Sequence, residues 1–240
     1  MNKALVYHCR PKEEIGHEIG TVLAIDFKHK DGGSFISDDA YGHLCTKTGA
    51  LWRPYGHYFD GIDDVLNCGN APILQTCFGG DTTGSYTYLW WQRQATSSNA
   101  YRGIFNKGAD PKFWGVWLDS NGRLFFERKV VATTNDSYCN WLVWATGDAN
   151  RWVFFALATE GRTNSGIRLY KDLQLLARTD SQNTLSSDIL NTGEDLFSVG
   201  QAWGKTDRFL GDIGMQLAYG RLLTFQEIQN IYLATKWRYQ

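Results

Sequence analysis

The sequence predicts an all-β fold of two stacked antiparallel sheets with one short helix near the C-terminus. Three observations predict it. Trp152–Thr159 is a continuous apolar, aromatic-rich run of strand length, as expected of a strand covered on both faces, and residues 87–94 and 113–118 read the same way. The runs are separated by spacers rich in Gly, Ser, Thr, Asn and Asp, such as residues 79–85, 95–99 and 179–184, which read as surface loops and not as interdomain linkers. A helical signal stands out only once, late in the chain. Many short strands and one late helix fit a two-sheet sandwich, not an alternating βαβ fold.

Within residues 114–127, two strand-like runs flank Asn121-Gly122, the pair that best tolerates positive φ in a tight turn, so a hairpin is expected there. A second hairpin is expected across residues 167–170 and 174–177, turning near Lys171-Asp172. Adjacent strand positions point to opposite faces, so Trp90 and Trp91 must divide between the core and the outer surface of one sheet, and Trp114 and Trp117 divide likewise. The helix begins at Thr224: its hydroxyl can accept from the amide of Glu227, while the Glu227 carboxylate reaches back. Ile228, Ile231 and Tyr232 then form an apolar stripe.

The bulk numbers exclude several classes. With 240 residues, 43% of them hydrophobic, the chain can bury a sizeable single core. A net charge of -1 argues against nucleic acid as a partner, since such binding needs a basic face. No run approaches the roughly 18 apolar residues of a membrane span, so no membrane insertion is expected. Residues 1–20 mix Lys, Arg and Glu with few apolar residues and lack the apolar stretch of a secretory signal. The five cysteines, Cys9, Cys45, Cys68, Cys77 and Cys139, are odd in number and lack C-x-x-C spacing, so reduced, mostly buried thiols are expected. The five histidines fall between His8 and His57 without a diagnostic Ser or Cys partner, and read as solvated or hydrogen-bonded loop histidines.

The order of these patterns resembles the laminin G-like branch of the concanavalin A-like lectin/glucanase superfamily, a pentraxin-like jelly roll in a compact, phage-type form. Residues 22–27 with the acidic loop 38–42 look like that family's first strand and loop. Residues 48–52 and the Phe59-Asp-Gly-Ile-Asp-Asp64 strand and turn are similar to its aromatic-Asp-Gly-x-Asp-Asp hallmark. Residues 218–228 resemble its last strand and short helix. The resemblance covers about residues 21–237. Asp172-Leu173 departs from the family's usual Asn-Gly turn, and residues 1–20 have no counterpart, which suggests an N-terminal arm or extra edge strand before a jelly-roll domain at 21–240.

The resemblance sets the functional expectations. Glycoside hydrolysis requires two carboxylates about 5–10 Å apart across a sugar bond. The alternating Glu-x-Asp-x-Glu strand of the related glucanases is missing here, so no enzyme, and no catalytic residue, is expected. Family members often bind calcium through loop carboxylates; Asp38, Asp60 and Asp212 are the weak candidates it implies, while Asp60 before Gly61 also reads as an Asx turn. An exposed indole stacks on sugar faces in lectin-like proteins. Trp203, set in a Gly-flanked loop, is the best candidate, followed by Trp114 and Trp117, though strand tryptophans more often pack between sheets. Two functions follow from the resemblance. One is a structural, adhesive virion subunit of a tailed phage, in contact with other virion proteins or itself and able to hold a glycan; the Met1 start, the lack of a signal and the odd cysteines motivate it. The other is a free, extracellular carbohydrate-binding domain.

Overall fold

Two antiparallel sheets stack face to face, as the strand patterning predicts. The computed structural model describes residues 19–75, 84–95, 101–109, 112–129, 136–161, 163–183, 196–202 and 207–240. The first half of the chain carries β1 (Thr21–Ile25), β2 (Ser34–Ile36), β3 (Leu44–Thr48), β4 (Leu51–Arg53), β5 (Gly56–Asp60), β6 (Val65–Asn67), the single turn α1 (Pro72–Gln75), β7 (Tyr86–Arg93), β8 (Arg102–Ala109) and β9 (Lys112–Leu118). Then come β10 (Arg123–Lys129), β11 (Asp136–Leu142), β12 (Trp152–Thr159), β13 (Ile167–Lys171), β14 (Gln174–Leu175), β15 (Asp180–Asn183), β16 (Phe197–Val199), β17 (Leu210–Tyr219) and α2 (Phe225–Thr235). The first sheet has the order β14-β13-β12-β7-β17-β5-β4, with β1 also on β17; the second runs β15-β11-β10-β9-β8-β16-β6-β3-β2. The arm proposed at residues 1–20 lies, but for Ile19 and Gly20, outside the described residues.

All eight residues of β12 are buried, which explains its unbroken apolar sequence. One face meets the second sheet and the other lies beneath α2. Trp90 and Trp91 divide as alternation requires. Trp90 enters the inter-sheet core with Phe105 and Phe155, whose ring centroids are 5.4 and 5.2 Å away. Trp91 faces outward, stacks on Tyr239 at 4.5 Å and Tyr232 at 5.6 Å, and donates from Nε1 to Thr235 Oγ1 at 3.1 Å. This outer cluster seats the helix on the first sheet through Ile228 and Ile231.

The capping box forms as expected: the Glu227 amide donates to Thr224 Oγ1, and the Thr224 amide donates to the Glu227 carboxylate. Arg221 and these bonds hold the Glu227 carboxyl down at about 2. Thr224→Ala is expected to cost about 1 kcal/mol, measurable as a lower urea midpoint with unchanged slope.

The two hairpins differ from expectation in their turns. Of Asn121 and Gly122 only Gly122 takes positive φ, at 74°, so the loop is not the mirror-image two-residue turn. Asp119 builds a wider loop instead, accepting from the amides of Asn121 and Arg123 at 2.9 Å each. The strained turn occurs at Asp172-Leu173, where both residues take positive φ, 47° and 70°. Asp172 Oδ1 accepts from the Phe154 amide at 3.0 Å, and Leu173 packs against the outer cluster, which offsets the strain.

Of the histidines expected in loops, His43 is one, held there by hydrogen bonds, and His57 is not. His43 is buried and its Nε2 lies 2.8 Å from the Val22 carbonyl. His57 lies on β5 inside the core, because Phe27 and Phe35 fold over it. Cys45, Cys68 and Cys139 are free and buried; Cys9 and Cys77 lie outside the described residues. No helix among the described residues is long and apolar enough to cross a membrane.

Candidate functional site

Strand β17 decides where a site can form on the outer face of the first sheet. Its pairing with β7 slips between Ile213 and Gln216, because three steps along β17 oppose two along β7, from Gln92 to Trp90. This bulge keeps Asp212 and Met215 on the same outer face. Met215, Leu217 and Tyr219 join the apolar seat of α2. Asp212 lies on the other side of the bulge, where the helix no longer covers the sheet. Tyr239 closes the boundary: the Met215 amide donates to its hydroxyl at 2.8 Å, and burial pushes its phenol pKa upward.

The uncovered part of the sheet is a cleft of about 630 Å³. Arg53 from β4, Tyr58 from β5, Arg93 from β7, Arg102 from β8, and Gly211 and Asp212 from β17 line it. Register explains the convergence: Asp212 lies opposite Tyr58 on one side and Arg93 on the other. Asp212 is buried and accepts from both neighbours. Arg53 Nη1 donates to Oδ1 at 2.9 Å, and Arg93 Nε donates to Oδ2 at 3.0 Å, with Arg93 Nη2 also 3.0 Å from that oxygen. Tyr58 supports Arg53, whose guanidinium carbon is 4.2 Å from the ring centroid, and Trp152 lies 5.2 Å from that of Arg93. Arg102 reaches in from the second sheet and donates to the Arg208 carbonyl at 3.1 Å. Gly211 forms part of the floor at φ 140°, and a Cβ there would meet the Arg93 carbonyl at 2.4 Å, so the floor admits no side chain.

Such a site fixes planar, charged N–H donors beside an aromatic ring in a cleft of ligand size. A smaller cleft of about 450 Å³ lies at the far edge, lined by Trp144, Arg151, Lys171 and Asp172 among others. Behind it the buried Asp148 receives Lys171 Nζ at 2.5 Å and Arg151 Nη2 at 2.6 Å. Burial raises the Asp148 pKa, but the bonds from Lys171, the Ala145 amide and Arg151 outweigh it and leave the carboxyl below its ordinary value.

The residues expected from sequence lie elsewhere or serve other ends. Trp114 is buried to 1% exposure between the sheets, among Tyr86, Phe105 and Phe197, so its face cannot meet a sugar. Trp117 is on the opposite face, as alternation requires, but Phe125 stacks on it at 4.1 Å and leaves it 8% exposed. Trp203 lies outside the described residues. Asp38, Asp60 and Asp212 do not form one ligand set. Asp38 pairs with Lys30 at 2.8 Å and accepts from the Asp26 amide, while Asp212 is held by the two arginines. Asp60 forms the Asx turn, accepting from the Ile62 amide at 2.8 Å, and its carboxylate neighbours are Asp63 and Asp64. Asp64 Oδ2 in turn accepts from the Asp60 amide at 2.8 Å, so one oxygen of each of these two carboxylates is bonded to the turn's own backbone. Arg53, Arg93 and Arg102 were not singled out from sequence. The one available signal was that Arg93 shares a strand face with Trp91.

Residues 69–229, about two thirds of the chain, match the family model described as the concanavalin A-like lectin/glucanases superfamily. No curated protein matches the chain in sequence. Among solved structures, the chain is similar to Trypanosoma rangeli sialidase in complex with sialic acid, at 13% identity and TM-score 0.65, over 92% of this chain and 34% of that one. It is similar to the botulinum neurotoxin serotype D ligand-binding domain in complex with N-acetylneuraminic acid, at 12% identity and TM-score 0.67, over 89% of this chain and 50% of that one. The serotype G binding domain aligns at 15% identity and TM-score 0.67, over the same shares. The chain thus spans about a third to a half of the length of these structures, and at such identities the likeness is one of fold.

Proposed function

Because the chain belongs to the concanavalin A-like lectin/glucanases superfamily, we propose that it is a lectin-like recognition module that binds glycan in the arginine-lined cleft. The observation that carries this reading is the Arg53–Asp212–Arg93 arrangement, which holds oriented donors beside Tyr58 in an uncovered cleft. Two of the similar structures are complexes with sialic acid or N-acetylneuraminic acid, which supports a glycan as the ligand class. The module works by contact and not by catalysis: the carboxylate lining the cleft, Asp212, is committed to two guanidinium groups and is not set as one of the two acids a glycosidase needs. On a printed glycan array, the chain is expected to bind a defined subset of sugars, and Arg93→Gln to lose at least tenfold in apparent affinity, about 1.4 kcal/mol. No binding to any glycan would refute this reading.

A second reading, compatible with the first, is an adhesive subunit of a tailed-phage virion, exposed on the particle. Apolar side chains at one side of the sandwich favour it: Ile36 faces Leu44 across β2 and β3, Leu51 and Tyr55 lie on the β4–β5 hairpin, and each is more than half exposed. Such a cluster suits protein contact, with itself or with other virion proteins. Co-purification with particles is the expected result; a monomer absent from every assembly would refute it. In a free lectin the same cleft would act outside the cell.

A further inference from the structure

Resting on the proposed glycan-binding role of the cleft, we infer that the cleft selects anionic sugars, glycan residues that carry a carboxylate or a sulfate, and that Arg53 and Arg93 grip the anionic group. The charge balance of the lining carries the inference. Two guanidinium groups, those of Arg53 and Arg93, meet one carboxylate, Asp212, which leaves one positive charge in excess at the cleft wall.

Asp212 does not quench these donors; it orients them. Its side chain is 6% exposed, whereas those of Arg53 and Arg93 remain 43% and 35% exposed at the cleft wall. A guanidinium has five N–H groups. Arg53 and Arg93 each commit one of them to a hydrogen bond with Asp212, so both keep donors for a ligand. Rings brace both ions, so little side-chain freedom is lost when an anion arrives. Planar two-donor edges match the oxygen pairs of carboxylate or sulfate, which a neutral hydroxyl cannot reproduce. Asn150, held at the rim with its amide bonded to the Gln94 carbonyl at 2.7 Å, can serve the sugar's hydroxyls.

The test is calorimetric titration of the full chain with matched probes: the methyl glycoside of N-acetylneuraminic acid, its methyl ester, the methyl glycosides of glucuronic acid and of galactose 6-sulfate, methyl galactoside, and inorganic sulfate. The acids or the sulfated sugar are expected to bind at least tenfold more tightly than the ester and methyl galactoside, and to weaken as salt rises. Preference for N-acetylneuraminic or glucuronic acid would identify a carboxylate ligand, and preference for the sulfated sugar a sulfate ligand. Arg53→Gln is expected to bind acid and ester alike. Arg53→Lys, on the exposed edge strand, keeps the charge but loses the fork and is expected to fall between. Equal or tighter binding of neutral sugars would overturn the inference while leaving the glycan-binding reading in place. Inorganic sulfate binding as tightly as the sugar acids would also overturn it. Should Arg53→Gln fail to fold, the acid–ester comparison and Arg53→Lys still decide.

Discussion

Trp90→Ala is expected to destabilise the fold by about 3–5 kcal/mol, the largest effect of any single substitution considered. Trp90 is fully buried, and its ring joins the two sheets: Phe155 of the first lies 5.2 Å away and Phe105 of the second 5.4 Å. Truncation opens a cavity among rigid rings that cannot collapse into it. It also leaves Gln92 Oε1, which accepts from the indole at 2.7 Å, without that donor in the core. Urea unfolding checks this, with Trp237→Ala as the comparison: Trp237 is 51% exposed, and its loss should cost well under about 1 kcal/mol. Equal losses from the two substitutions would contradict the packing described for the core.

The second large effect is loss of stability in mild acid. The His57 ring is 1% exposed, with Phe27 at 4.5 Å and Phe35 at 6.2 Å, and neither nitrogen has a hydrogen-bond partner among the described residues. Burial, and after it the Lys47 charge, lower its pKa from 6.5 to about 4, which the nearby Lys30 backbone offsets only in part. The folded chain keeps this histidine neutral, while the unfolded chain protonates it near 6.5. Stability is therefore undiminished above about pH 6.5 and falls as pH drops toward 4, by about 3 kcal/mol in all. Asp119, Asp148 and Glu227, whose pKa values lie below ordinary carboxyl values, lose their contribution only at still lower pH, so the two windows separate. His57→Leu should flatten the urea midpoint between pH 6.5 and 4. The same slope in both proteins would show that His57 is not its source.

The architecture was legible because it is written locally. Trp152–Thr159 announces a doubly covered strand, alternation separates Trp90 from Trp91, and Thr224 with Glu227 marks the helix start. Turn geometry was less legible: Asp119 reshapes the Asn121-Gly122 loop through side-chain bonds, and Leu173 tolerates a left-handed backbone while packing on the outer cluster. The cleft was not legible at all. Arg53 and Asp212 meet across 159 residues of sequence, and only the register of β5, β17 and β7 aligns them. His57 was misread for the same reason, since the aromatic rings over it come from a distant segment of the chain. Tryptophan content suggested stacking platforms, yet Trp114 and Trp117 meet protein rings, and the polar part of the outer face carries the candidate site.

The central claim is that recognition occurs where α2 leaves the first sheet uncovered. Chemical-shift mapping of the arginine side chains in the ¹⁵N-labelled chain, titrated with the strongest glycan-array ligand, tests it most directly. Saturable shifts at Arg53, Arg93 and Arg102, with Arg151 and Arg168 at the far edge unmoved, are the predicted result. Shifts confined to Arg151 beside Trp144, or arginines that stay still while the ligand binds, would contradict it.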